Sequence, residues 1–131
     1  IQASLDSLVG RIDALDAEIR AMLQSVAGRT FYVFHPAWGW FAADYGLHQV
    51  AIEEKGAHGS EPSPEHLARL IRQAREERIG VVFVQPQYSD RSAVLVAREI
   101  GARVEVLDPL AADWLNNLRH VAETMRKAWT S

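Results

Sequence analysis

Short apolar runs alternating with helix-period segments constrain this chain more than any other feature. Phe31, Tyr32, Val33 and Phe34 stand in the first run, Arg29 to His35, an aromatic and β-branched stretch suited to a strand covered on both faces. A second run spans His48 to Glu53, a third Val81 to Val84 and a fourth Arg103 to Leu107. Between them lie helical segments: a short one at Ala37 to Tyr45, one from Pro64 to about Arg78, and one from Asp90 to Ile100. A last helix is predicted from Ala111 to about Trp129. Strands joined through helices lie parallel, with right-handed crossovers. The expected fold is therefore α/β: a four-stranded parallel sheet flanked by helices, in the flavodoxin-like order 2-1-3-4.

Local chemistry supports these boundaries. Gly46, Gly80 and Gly101 stand where the helices should end. Ser63 is placed to cap the helix that Pro64 opens, with His66 at its third position. Ser89 is placed to cap the next one. Lys55 to Pro64, KGAHGSEPSP, reads as a loop.

Ahead of the first strand, Ile1, Leu5, Leu8, Ile12, Leu15, Ile19, Met22 and Val26 recur at alternating spacings of four and three. They form one apolar stripe on a long helix reaching about Ala27, with Gly28 to end it. The stripe can pack on the rest of its own protein or join a coiled-coil partner, and the long helix can connect rigidly to a second domain. The chain opens inside this helical pattern, at Ile1 rather than at a methionine, which leads us to expect that a larger protein continues upstream.

At 131 residues, 48% hydrophobic and 24% charged, the chain suits one globular domain. A net charge of −3 disfavours nucleic acid as a partner. There is no cysteine, so disulfides, thiolate metal sites and cysteine nucleophiles are excluded. No run is long and apolar enough to span a membrane.

Three of the four strands end in a polar residue followed by proline: His35-Pro36, Gln85-Pro86 and Asp108-Pro109. In a parallel sheet these ends share one edge, the edge at which ligands bind. With order 2-1-3-4 the crevice lies between strands one and three. His35 and Gln85 flank it and Asp108 stands one strand further on. An imidazole and a carboxylate suit zinc and other divalent first-row metals, yet two donors are too few for a closed site. His48, His58, His66 and His120 are poorly placed to complete it and read as solvent or capping histidines. Alternatively, His35 and Asp108 form an acid–base pair in an enzyme. No nucleophile motif surrounds Ser60, Ser63, Ser89 or Ser92, and HPAWG is not a phosphate-binding loop.

The segments VFHPAWGWFAADYGL, EPSPEHLARLI, VVFVQPQYS, AREIGARVEVLDPLA and DWLNNLR occur in this order across Phe31 to Arg119. Together they resemble the C-terminal lobe of the zinc/manganese substrate-binding proteins of ABC transporters. The resemblance implies two α/β lobes joined by a rigid helix, with the metal held between them. It makes residues 1–27 the C-terminal part of that inter-lobe helix and residues 28–131 the C-terminal metal-binding lobe. It implies that two histidines come from an N-terminal lobe absent here, and that His35 and Asp108 match the two donors of this lobe. Histidine at the first of these favours zinc, with manganese as the alternative. Gln85, Tyr88 and Trp38 are expected to line or support the site. Trp114 stands where tyrosine is common in such proteins. The implied partners are a membrane permease and the missing lobe. The implied location is periplasmic, or extracytoplasmic and membrane-anchored, and no catalysis is expected. The fragment should hold an incomplete zinc site. With its stripe uncovered, the helix at 1–26 could serve self-association or adhesion instead.

Overall fold

The computed structural model of the chain describes residues 2–53 and 62–130, with side chains from residue 5 onward. Residues 55–61 of the expected loop, with His58 and Ser60, lie outside the described residues, as do Ile1 and Ser131. The elements run α1 (Gln2–Leu23), a 3-10 turn (Gln24–Val26), β1 (Thr30–Val33), α2 (Gly39–Tyr45), β2 (His48–Ala51), α3 (Pro64–Glu76), β3 (Val81–Val84), α4 (Arg91–Ile100), β4 (Arg103–Val106) and α5 (Trp114–Thr130). The four strands form one parallel sheet in the order β2-β1-β3-β4, as predicted.

Side-chain alternation along the strands sorts the core into two layers. Phe31, Val33, Val81 and Phe83 point to one face, where they join Leu15, Ile19 and Leu23 of α1, Phe41 of α2 and Val121 and Met125 of α5. Tyr32, Phe34, Val82 and Val84 point to the other, against Leu70 and Ala74 of α3 and Val96 and Ala97 of α4. Every residue of β3 is buried, which explains why its sequence shows no polar alternation.

Several element starts differ from the expectation, each for a local reason. The chain turns tightly after β1, with Ala37 N–H donating to the His35 carbonyl (2.8 Å), so α2 begins at Gly39 rather than Ala37. The last helix begins at Trp114 rather than Ala111. Asp113 stands just before it and accepts from both the backbone N–H and the side-chain amide of Asn116. Ser63 caps α3 by accepting from His66 N–H (3.2 Å), as its position suggested. Gly28, Gly46 and Gly101 take up positive φ at the turns they were expected to make.

The apolar stripe of α1 is divided. Leu15, Ile19, Leu23 and Val26 are buried, whereas Leu5 and Leu8 are exposed, as is Val9. The cause is length. A helix of this many residues is about 33 Å long, whereas a four-residue strand covers about 13 Å. Because α1 ends where β1 begins, it runs back across the sheet and its N-terminal half passes the rim where the strands end. Ile12, level with that rim, lines a groove of about 240 Å³ together with Trp40 and Trp114, which stand in the first turns of α2 and α5. Among the described residues no helix is long and apolar enough to cross a membrane.

Candidate metal centre

The strand registers build the rim. β1 and β2 pair with an offset of eighteen residues, Val33 opposite Ala51, and the ladder continues through Ile52 N–H to the Val33 carbonyl and Glu53 N–H to the Phe34 carbonyl. β1 and β3 pair with an offset of fifty, Val33 opposite Phe83. β3 and β4 pair with an offset of twenty-two, Val84 opposite Val106. One or two residues past the strand ends, these offsets align Glu53, His35, Gln85 and Leu107 across the sheet. Asp108 lies one residue beyond that row.

His35 is held from three directions. Its Nδ1 lies 2.7 Å from Glu53 Oε1. Its ring stacks on Tyr88, with centroids 4.5 Å apart and planes inclined by 23°. Its backbone carbonyl accepts from Gln85 Nε2 (3.2 Å). Tyr88 is in turn placed by its N–H bond to the Gln85 carbonyl and by Phe34, 5.8 Å away. The side chain of His35 keeps 29% of its surface exposed while that of Glu53 keeps only 8%. With Nδ1 occupied, Nε2 is the ring atom that can meet an incoming group.

Glu53 was not among the residues singled out from the sequence. The available signal was an acid closing an apolar run, AIE, at a strand end. Pairing it with His35 requires the register of β2 on β1, which neither strand carries by itself.

Asp108 shares the rim with His35 but not a bond with it. Its Oδ1 accepts from Gln87 Nε2 and from Leu110 N–H, both at 2.9 Å, and its carbonyl accepts from Asn117 Nδ2 (2.6 Å). β3 stands between the two strands, so their backbones are about 10 Å apart. The acid–base pairing of His35 with Asp108 is therefore corrected: the carboxylate on the imidazole is that of Glu53. The first oxygen of Asp108 makes the turn bond that an aspartate before proline favours.

Gln85 and Tyr88, singled out from the sequence, both touch His35. Trp38 does not line the site. It is 1% exposed in the core below, in ring contact with Phe41 and with the exposed Trp40, and its backbone N–H donates to Gln49 Oε1 (2.9 Å). The turn at Ala37 sends this indole inward rather than to the rim.

The remaining described histidines stay apart. His48 is exposed on edge strand β2, at the end opposite the rim. His66 sits in the first turn of α3, with Nδ1 near Arg69, and His120 is exposed on α5. Among the described residues no group of three or more imidazole, thiol or carboxylate side chains comes together to hold a metal ion. The rim therefore offers an imidazole nitrogen left open by its partner and, one strand further on beyond β3, a carboxylate.

Comparison with known proteins follows the same line. Residues 1–128 match the profile of the family described as zinc-uptake complex component A, periplasmic (ZnuA). The chain is 33% identical over 102 residues to the high-affinity zinc uptake system protein ZnuA of Bacillus subtilis, covering 78% of this chain and 32% of that protein. It is 27% identical over 135 residues to the zinc-binding protein AdcA of Streptococcus pyogenes, covering 95% of this chain and 26% of that one. Among solved structures it superposes on a crystal structure of ZnuA with a TM-score of 0.91 and 43% identity, over 97% of this chain and 47% of that chain. It also superposes on the laminin-binding protein Lmb of Streptococcus agalactiae, described as having adhesin and metal-transporting activity, with a TM-score of 0.78 and 26% identity, over 88% and 47%. The chain thus spans between about a quarter and a half of the length of these proteins.

Proposed function

The chain belongs to the periplasmic zinc-uptake complex component A family, and from that membership we propose that it is the C-terminal lobe of a zinc-capturing protein that serves an ABC-type uptake system. Residues 1–27 are the end of the helix joining two lobes, and residues 28–131 are the lobe that closes on the metal. Zinc is cargo: it is bound outside the cytoplasmic membrane and passed to a permease. The role is binding, not catalysis.

The observation that carries this reading is His35, held at a strand end with Nδ1 occupied and Nε2 remaining. A neutral imidazole nitrogen is a good zinc donor. Asp108 supplies the second donor of this lobe. Its Oδ1 is committed to Gln87 and Leu110, so Oδ2 is the oxygen that turns to the cation. The carboxylate offsets part of the zinc charge, and that attraction is strengthened as the closing lobes exclude water. Zinc usually takes four donors, or three with a water. Two from this rim leave the others to an upstream lobe. Imidazole with carboxylate also accepts manganese, so the choice of zinc rests on donor type and on the geometry the complete site imposes.

The apolar surface agrees with a covering lobe. Trp40, Leu110 and Trp114 are exposed around the rim, and Leu5, Leu8 and Val9 are exposed where α1 passes it. A rim of this kind, surrounding polar donors, suits a surface that another part of the same protein covers.

Zinc titration by competition with a chelator tests the proposal. The full-length protein is expected to bind one zinc tightly, and His35→Ala to weaken it severely without unfolding the lobe. The isolated chain is expected to bind zinc far more weakly than the full-length protein. Tight one-to-one binding by the isolated chain, unchanged in His35→Ala, would refute the assignment.

A further inference from the structure

We propose that Glu53 is the positioning residue of this site: it holds the proton of His35 on Nδ1 and so makes Nε2 the donor atom. The inference rests on the reading of His35 as a zinc donor and goes beyond it by naming what prepares the donor.

Three observations carry it. Glu53 Oε1 is 2.7 Å from Nδ1, a short bond of the charge-assisted kind. Glu53 is 9% exposed, so its carboxylate sits where an acceptor needs a donor. The contact is also built into the sheet rather than left to a loop. Glu53 N–H donates to the Phe34 carbonyl, the last ladder bond of β2 on β1, which fixes the glutamate beside His35.

The chemistry follows from the ring. A neutral histidine carries one proton and can place it on either nitrogen. A carboxylate acceptor at Nδ1 selects the Nδ1–H form and leaves the lone pair on Nε2. Tyr88, stacked on the ring face, restricts its rotation, and Gln85 fixes the backbone from which it hangs. The two nitrogens occupy different edges of the ring. A carboxylate engaged with Nδ1 is thus directed away from a cation on Nε2, and Glu53 acts through His35 rather than as a further ligand.

The test uses the full-length protein carrying Glu53→Leu or Glu53→Gln. Long-range proton–nitrogen NMR of the His35 ring, identified by its loss in His35→Gln and recorded without metal above the histidine titration range, reports the tautomer. The native protein is expected to show the proton on Nδ1. Glu53→Leu should give a mixture of tautomers and weaken zinc by roughly 10- to 100-fold in chelator competition. The amide oxygen of Glu53→Gln can still accept from Nδ1, so this variant should keep the tautomer and recover part of the affinity. A native spectrum with the proton on Nε2 overturns the proposal. So does Glu53→Leu with both tautomer and zinc affinity unchanged. If Glu53→Leu does not fold, Glu53→Gln decides: mixed tautomers or no intermediate affinity overturn the proposal. If His35→Gln leaves zinc binding intact, the assignment of His35 as donor falls, while the metal-free spectra still decide the part played by Glu53.

Discussion

Glu53 and His35 are direct neighbours just past the ends of two adjacent strands, eighteen positions apart in the chain and 2.7 Å apart through Oε1 and Nδ1. The contact joins the carboxyl ends of β1 and β2, so one side of the candidate site belongs to the sheet itself. Rigid elements hold site geometry more tightly than loops do. Asp108 is less firmly placed by this standard, since its oxygen is fixed by a turn after β4 and by Gln87.

Asp108 allows a separation of binding from folding. Asp108→Asn keeps an oxygen that can accept from Gln87 and Leu110, so the turn should survive and stability should change by less than about 0.5 kcal/mol. The lost negative charge should still weaken zinc binding in the full-length protein. Chelator competition beside a urea melt checks this, and a variant with native zinc affinity would remove Asp108 from the donor set.

The two halves of α1 should respond unequally to the loss of their apolar side chains. Ile19 is fully buried, and Ile19→Ala should cost about 2–5 kcal/mol of stability. Leu8 is exposed, and Leu8→Ser should stay within about 0.5 kcal/mol in the isolated chain. Equal losses in chemical denaturation would mean that the N-terminal half of the helix is packed on this lobe after all.

The isolated chain should self-associate through that uncovered half. Leu5, Leu8 and Val9 present apolar surface beyond the sheet. Sedimentation at increasing concentration should show a growing oligomer fraction, reduced in Leu5→Glu/Leu8→Glu. A strictly monomeric chain at all concentrations would count against the helix as an adhesive surface.

Alkaline pH should destabilise the lobe in part through Tyr45. Burial, with a further contribution from its hydrogen bond to Asp16 (2.8 Å), pushes its phenol from 10.0 up to about 12. Between those values the unfolded chain has released the proton while the folded chain keeps it, so stability falls as pH rises through that window. Burial moves Tyr32 in the same direction. Tyr45→Phe should lose about 1 kcal/mol at neutral pH with its hydrogen bond, and then show a shallower alkaline decline than the native chain. Urea melts at pH 7, 10 and 11 measure both. The other member of the contact behaves oppositely: bonded to Arg20 and then to Tyr45, Asp16 is held below its ordinary value. Its contribution is present above that value and is lost as pH falls through the folded one.

What the sequence determined by itself is what neighbouring residues encode. Phe31 to Phe34 and Val81 to Val84 read as buried strands because their side chains serve two core layers at once. Ser63, Gly46 and Gly101 read as helix boundaries because capping and positive φ are properties of one or two residues. His35 and Asp108 read as rim residues because a polar side chain before proline marks a strand end, and parallel strands end on one edge.

Tertiary structure decided the rest, because register and overhang are relations between distant segments. The offsets of eighteen and fifty residues bring Glu53 and Gln85 to the two sides of His35, and no pattern within one strand specifies them. The same stripe that buries Leu15 and Ile19 leaves Leu5 and Leu8 in solvent, because the helix outruns the sheet beneath it. Trp38 turned into the core for a comparable reason: its direction was set by the bend at Ala37, which the residues of the preceding strand do not specify.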